Sequence, residues 1–225
     1  MHIFESPAVL ASALAQATAT ALAASIKARG RALLAVSGGR TPVSFFEALS
    51  RTSFNWSDVV VTLVDERWVP EDHPRSNAAL VRRHLLVNNA AAAAFLPLYN
   101  AAPTPELGLA VQEALLAAQS LPLATAILGM GDDGHTASFF PGGDHLVEAL
   151  DPDSGRLLAS MRAPGAGEPR ITLTLPVLIR SPFLAIHIEG EGKREVLTKA
   201  QQAGAEQDMP VRAILRHVPH IYWCL

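Results

Sequence analysis

Three short apolar segments of the chain each run directly into a polar segment rich in glycine or charge. They cover residues 32–36, 59–64 and 124–128. Apolar runs of this length, without the alternation of a half-exposed strand, predict strands that are buried on both faces of a sheet. Helical patterns separate the runs, and strands that alternate with helices form parallel sheets. We therefore predict a Rossmann-like α/β fold with a doubly wound, mainly parallel sheet and helices on both faces.

The rest of the chain continues this alternation. A first helix is expected from Pro7 to Gly30 with Ser6 as its N-cap, because these residue types favour those positions. No stretch has the composition of an interdomain linker, so we predict a single domain over residues 1–225. Further strands are predicted at residues 2–4, 170–174, 182–188 and 220–224, further helices from Pro42 and Pro176 and at residues 77–87, 104–118 and 193–202, and a loop or helix end at residues 90–94.

The composition argues against several classes of protein. Apolar residues make up 49% of the chain and charged residues only 17%, which supplies a large core and argues against disorder. The formal net charge of −3 provides no basic excess for binding nucleic acid or an anionic membrane. A single cysteine, Cys224, rules out an intramolecular disulfide and disfavours a thiolate metal site.

The alanine-rich segment at residues 8–28 could be mistaken for a targeting segment. It has no basic region before it, and polar residues such as Gln16 and Thr18 interrupt it. We therefore expect a helix that lies on the sheet instead of a signal peptide. No later stretch reaches the ~18 uncharged apolar residues that a membrane span needs, so the cytoplasm is the expected location.

The polar segments after the three central runs form the candidate site, because ligands bind at the edge where the carboxyl ends of parallel strands meet. The first segment is Ser37-Gly38-Gly39-Arg40-Thr41-Pro42. Adjacent glycines let the backbone approach a ligand, and the following helix N-terminus attracts anions. The spacing differs from that of a nucleotide P-loop. The segment indicates either a phosphate-binding loop or a tight turn in which Thr41 caps the helix.

The second segment, Asp65-Glu66-Arg67, directly follows a strand that we expect to be buried. Charges at such a position need partners or a ligand. Arg67 could bind a phosphate or a developing oxyanion, and Asp65 could orient a base or a sugar hydroxyl. The alternative is a structural ion pair among these three side chains at the edge of the sheet.

The third segment, residues 129–138, reads Gly-Met-Gly-Asp-Asp-Gly-His-Thr-Ala-Ser and holds the best candidate for a catalytic group. His135 can exchange a proton near neutral pH, and Asp133, two residues earlier, can fix its tautomer. Ser138 lacks the glycine-flanked elbow of a serine nucleophile. A second histidine at metal-ligand spacing is missing, and so is the full glycine pattern of a dinucleotide fold. We therefore predict no metal and no cofactor.

Two further cations, Arg170 and Lys193, are candidates for binding an anion. Arg170 begins a strand after a loop rich in proline and glycine. Lys193 is predicted at a helix start, where the helix dipole disfavours a cation unless it faces an anion; a solvated lysine is the alternative. The other histidines are expected to be structural or exposed, namely His2, His73, His84, His145, His187, His217 and His220.

In order and spacing, these segments resemble the glucosamine-6-phosphate isomerase/6-phosphogluconolactonase family along essentially the whole chain. The segments that carry the resemblance are residues 37–42, 64–70, 76–77, 129–138 and 170–174. The resemblance implies a doubly wound α/β fold. It also implies a cofactor-free hydrolase that converts 6-phospho-D-glucono-1,5-lactone to 6-phospho-D-gluconate in the oxidative pentose phosphate pathway.

The family roles are carried over only to matching positions. His135 would be the general base on water, with Asp133 and Asp65 nearby, and Arg67 would contact the substrate or the oxyanion. The residues that would hold the substrate phosphate are Ser37, Gly38, Gly39, Arg40, Thr41, Arg170 and Lys193. The implied partner is a small phosphorylated sugar lactone, without nucleic acid or membrane, and the expected state is a monomer or a small homo-oligomer.

Two positions bear on the choice within the family. Asp132 is a departure, since the family often has no acid there, and the sequence assigns it no role. The deaminases of the family carry a ring-opening glutamate five residues after the motif histidine, where this chain has Phe140. Phe140 therefore favours the lactonase over an amino-sugar phosphate deaminase or isomerase. A non-catalytic sugar-phosphate sensor is the other alternative, and the retained His135 argues against it.

Overall fold

The computed structural model describes all 225 residues of the chain. Strands β1 to β10 are His2–Phe4, Ala32–Val36, Val59–Leu63, Asp65–Arg67, Ala94–Leu96, Thr125–Leu128, Leu158–Met161, Arg170–Leu173, Phe183–Glu189 and His220–Cys224. Helices α1 to α8 are Pro7–Arg29, Val43–Ser50, Asn77–His84, Pro105–Ala117, Leu146–Leu150, Leu175–Ile179, Glu191–Ala200 and Val211–Leu215. Short 3-10 helices occupy Trp56–Asp58 and Asn88–Ala92.

Seven of the strands form one sheet in the order β1-β10-β9-β6-β2-β3-β5, and every neighbouring pair in it is parallel. Every residue of β2 and of β6 is buried, as the uninterrupted apolar runs predict. Helices pack against this sheet, and the buried apolar side chains form one continuous cluster. The predicted doubly wound, mainly parallel α/β fold is confirmed.

Helix α1 begins and ends where its capping residues predict. The Ser6 side chain accepts a hydrogen bond from the Val9 N–H at 3.4 Å, and Gly30 ends the helix with a φ of 74°. By length and composition, α1 is the one helix that could cross a membrane. However, its residues Leu10, Leu14 and Leu22 are fully buried. This burial matches the expectation of a helix that lies on the sheet.

A second, antiparallel sheet was not predicted from the sequence. It has the order β4-β8-β7, with Asp65 opposite Thr172 and Arg67 opposite Arg170. β4 consists of three charged residues, so it carries no apolar signal, and its strand conformation depends on pairing with a segment about a hundred residues away. The alanine-rich stretch at residues 90–94, expected as a loop or helix end, instead forms a 3-10 helix and then the start of β5.

Most predicted boundaries differ from the observed ones by one or two residues, and a few need correction. The helix predicted over residues 77–87 ends at His84, because Leu85 and Leu86 both bond back to the Val81 carbonyl and close the last turn. α2 begins at Val43, with Pro42 instead of Thr41 as its N-cap. The short helices α5 and α8 and the strand β7 were missed.

The order of the strands in the sheet determines where the candidate site lies. From β2 the chain moves to β3 on one side, whereas β6 lies on the other side of β2. Such a reversal opens a crevice beyond the carboxyl ends of the two strands, where ligands bind in this class of fold. Ser37 follows β2 and Gly129 follows β6, and the Gly129 N–H donates to the Ser37 hydroxyl at 3.0 Å. The two glycine-rich segments are therefore joined directly.

Candidate active site

A cavity of about 390 Å³ lies at this crevice, which is the size of a small-molecule site. It brings together residues from all three polar segments and the two additional cations. The predicted site residues that line it are Ser37, Gly38, Gly39, Thr41, Asp65, Arg67, His135, Arg170 and Lys193. Of the predicted site residues, Arg40 and Asp133 do not line the cavity. Arg40 is exposed, whereas Asp133 acts through His135, as described below.

The loop after β2 is shaped by a close contact with α3. A Cβ added at Gly38 would lie 1.8 Å from the Asn77 Oδ1 atom, so only glycine fits there. Gly39 has a φ of 98°, which favours glycine. No side chain caps the N-terminus of α2, and the loop leads directly into it. The geometry is compatible with an anion at this helix end, and the alternative of a Thr41 cap is wrong.

A Gly38→Ala substitution is expected to destabilise the protein by about 1–3 kcal/mol, because the methyl group forces Asn77 or the loop to move. Thermal or urea unfolding measures this change. Gly129→Ala is the matched control, since a Cβ at Gly129 meets no atom within 4 Å. Equal stability of the two variants would contradict the close packing of Gly38.

His135 is oriented by Asp133. Its Nδ1 lies 2.6 Å from Asp133 Oδ1, and the same oxygen accepts the His135 backbone N–H at 3.0 Å. The hydrogen bond from His135 lowers the pKa of Asp133 to about 2, so this carboxylate is ionised at neutral pH. It therefore holds the proton of a neutral imidazole on Nδ1 and leaves Nε2 as an acceptor. A Cβ at Gly131 would lie 2.0 Å from Nδ1, so the glycine turn makes room for the ring.

Phe140 packs against two of the candidate residues. Its ring centroid lies 4.5 Å from that of His135, and the Arg170 guanidinium lies 5.3 Å from the centre of the Phe140 ring. The position at which the resemblance implies a glutamate in the deaminases is thus filled by an aromatic side chain. No carboxylate stands there to shuttle a proton.

The charged side chains of β4 form no ion pair with one another, so that alternative is wrong. Asp65 is buried, accepts the Ser138 hydroxyl at 2.6 Å, and lies 3.7 Å from Arg170. Glu66 is fully buried and caps α3 by accepting the N–H groups of Asn77 and Ala78. Burial raises the pKa of Glu66, although these hydrogen bonds oppose the shift.

Arg67 lines the cavity without a carboxylate partner. One terminal nitrogen donates to the Arg75 carbonyl, while its buried Nε has no partner. Arg170, in contrast, is buried, faces Asp65 and donates to the Ala166 carbonyl at 2.6 Å. Burial lowers the pKa of Arg170. Arg67 is therefore the guanidinium best placed to meet a ligand anion.

Sequence reasoning missed several residues that line the cavity. Arg75 lies in a loop whose sequence has no motif that indicates a functional site. Its guanidinium pairs with Glu168 at 3.1 Å. His187, expected to be structural or exposed, is buried and bonds to Glu189 at 2.9 Å, and both residues line the cavity. The two-residue spacing of His187 and Glu189 at the carboxyl end of a strand was a usable signal, because it places both on one face of the sheet.

The chain is similar to known proteins along nearly its whole length. Residues 5–223 match the model of the family described as glucosamine-6-phosphate isomerases/6-phosphogluconolactonase. The chain belongs to this family. Among curated relatives in the family, the 6-phosphogluconolactonase of Rhizobium meliloti (strain 1021) is 54% identical over 99% of this chain and 97% of its own. That of Pseudomonas aeruginosa PAO1 is 44% identical over 99% of this chain and 94% of its own.

Solved structures of the family show the same architecture. A 6-phosphogluconolactonase from Shewanella baltica OS155 superposes with a TM-score of 0.96 at 39% identity, covering 100% of this chain and 97% of that one. A monomeric glucosamine-6-phosphate deaminase, at a TM-score of 0.78 and 18% identity over 100% of this chain and 97% of its own, shares the fold alone. The expected family membership is confirmed, and the names of these relatives support the expected class of enzyme, a lactone hydrolase.

Proposed function

We propose that this chain hydrolyses 6-phospho-D-glucono-1,5-lactone to 6-phospho-D-gluconate, a reaction of the oxidative pentose phosphate pathway. The observation that carries the proposal is the pairing of His135 with Asp133, which leaves Nε2 free in the same cavity as Arg67, whose guanidinium has no carboxylate partner. A base and a cation in one cavity suit the attack of water on a carbonyl. Relatives of this chain are named for that activity.

In the proposed reaction, Nε2 of His135 accepts a proton from a water molecule, and the water oxygen attacks the lactone carbonyl carbon. The carbonyl oxygen gains negative charge, which Arg67 stabilises. The bond between the carbonyl carbon and the ring oxygen then breaks, and His135 returns its proton to the departing oxygen. Asp133 keeps the imidazole in position and stabilises its charged form throughout.

We propose that the substrate phosphate is held by the loop of residues 37–41, the uncapped start of α2, Arg170 and Lys193. Backbone N–H groups at a helix N-terminus and a few cations are sufficient to bind a phosphate. The phosphate lies far from the reacting carbon, so its binding energy positions the carbonyl next to His135. The proposed location is the cytoplasm, and the proposed state is a monomer or a small homo-oligomer.

The deaminase alternative is disfavoured by Phe140, which leaves the ring-opening position without a carboxylate. A lactone needs no such group because its carbonyl is already exposed to attack. The sensor alternative is disfavoured by the geometry of His135 and Asp133, since a binding protein does not need an oriented base.

The test is an assay with freshly generated lactone, measured against a blank because the substrate also hydrolyses without enzyme. We expect saturable acid release well above the blank, and no ammonia from glucosamine 6-phosphate. Ammonia release would favour the deaminase, and binding of the sugar phosphate without turnover would favour the sensor.

A further inference from the structure

Most of the cations around the cavity face a carboxylate in this structure, and these carboxylates differ in exposure. The Asp132 side chain is 91% exposed, whereas that of Asp65 is 9% exposed. The pairs are Arg170 with Asp65 at 3.7 Å, Arg75 with Glu168 at 3.1 Å and Lys193 with Asp132 at 2.5 Å. An arriving phosphate must compete with one or more of these carboxylates.

Asp132 is the carboxylate that can leave its cation most readily. Its one hydrogen bond is to Lys193, and water replaces this contact as soon as the side chain turns outward. Asp65 is also held by Ser138, and Asp133 by two bonds to His135. Exposed ion pairs contribute little to stability, so breaking this one costs little.

Lys193 lies at a position where a nearby anion stabilises it, whether or not a ligand is bound. It lies in the first turn of α7, where the positive end of the helix dipole disfavours a cation. Its side chain is 26% exposed and lines the cavity. Asp132 supplies the anion in this structure, and a phosphate, with more charge, can supply it when a ligand is bound.

We propose that Asp132 competes with the phosphate of the ligand for Lys193. Asp132 pairs with the lysine when no ligand is bound, and the phosphate displaces it when a ligand binds. This inference rests on the proposed role of Lys193 in phosphate binding. The product keeps the phosphate of the substrate, so competition by Asp132 weakens the hold on both and helps the product to leave. Asp132, to which the sequence assigns no role, thereby acquires one.

The experiment measures the Kd of inorganic phosphate for the whole protein by titration calorimetry. At low ionic strength, Asp132→Asn is expected to bind phosphate about threefold to tenfold more tightly, and the difference should shrink as salt screens the charges. The inhibition constant of 6-phosphogluconate should fall by a similar factor. Asp153→Asn is the control, because Asp153 is exposed and does not line the cavity.

A double-mutant cycle with Lys193→Gln separates competition for the lysine from general repulsion. If Asp132 acts by occupying Lys193, its substitution should tighten phosphate binding much less when the lysine is gone. An unchanged Kd in Asp132→Asn, equal tightening in both backgrounds, or no binding to any variant would overturn the proposal. The measurement does not depend on turnover, so active enzyme with an unchanged Kd refutes this inference alone. Tightened binding without lactonase activity refutes the proposed reaction alone.

Discussion

Replacing His135 with alanine is expected to lower kcat/KM for the lactone by about 10²–10⁴-fold, the usual contribution of a general acid–base group. The variant retains the cavity and its cations, so binding of the phosphate group should change little. His135 is only partly buried, and its side chain has Asp133 as its one hydrogen-bond partner. The melting temperature should therefore stay close to that of the parent protein.

The control for this variant is His217→Ala, since His217 is exposed and lies outside the cavity. It should keep full activity. Near-normal turnover in His135→Ala would exclude the proposed base. A large fall in melting temperature would instead show that the activity was lost with the fold.

Replacing Arg67 with methionine is expected to reduce kcat by about 10²–10³-fold, the range found when one donor to a developing oxyanion is removed. Methionine keeps most of the length of the side chain and removes its charge. Because the proposed contact strengthens only in the transition state, kcat should fall more than KM rises. Steady-state kinetics at several lactone concentrations separates the two parameters.

Arg83→Met provides the comparison, since Arg83 is exposed and does not line the cavity. A rise in KM with an unchanged kcat in Arg67→Met would place Arg67 on the phosphate instead of the reacting carbonyl. Arg67 also donates to the Arg75 carbonyl, so the stability of the variant should be measured together with its kinetics.

Features that depend on neighbours in sequence could be predicted from the sequence. The apolar runs of β2 and β6 and the caps of α1 are local patterns, and each predicted its element correctly. The pairing of Asp133 with His135 is also local, since two residues separate them. The choice between Asp133 and Asp65 as the orienting acid stayed open, because only the folded chain shows that Asp65 contacts Ser138.

Features that depend on distant segments could not be predicted. β4 is a strand because it pairs with β8, although its residues have no strand pattern. The partner of Asp132 lies 61 residues further along the chain. Arg75 enters the cavity wall through the path of an irregular loop, which composition does not determine. The single-domain organisation and the catalytic roles stay predictions until they are measured.

The buried carboxylate of Glu66 has a consequence for how this cavity can diversify. It accepts the N–H of Arg67 at 2.8 Å and, across the loop, those of Asn77 and Ala78 at 2.9 and 2.8 Å. The Glu66 side chain thus holds both ends of the segment at residues 68–76 by hydrogen bonds. This segment includes Arg75, which lines the cavity. Surface loops with anchored ends tolerate changes in length and sequence. Evolution or directed mutagenesis can therefore vary this segment, and with it the range of ligands, while the backbone at Asp65 and Arg67 keeps its place.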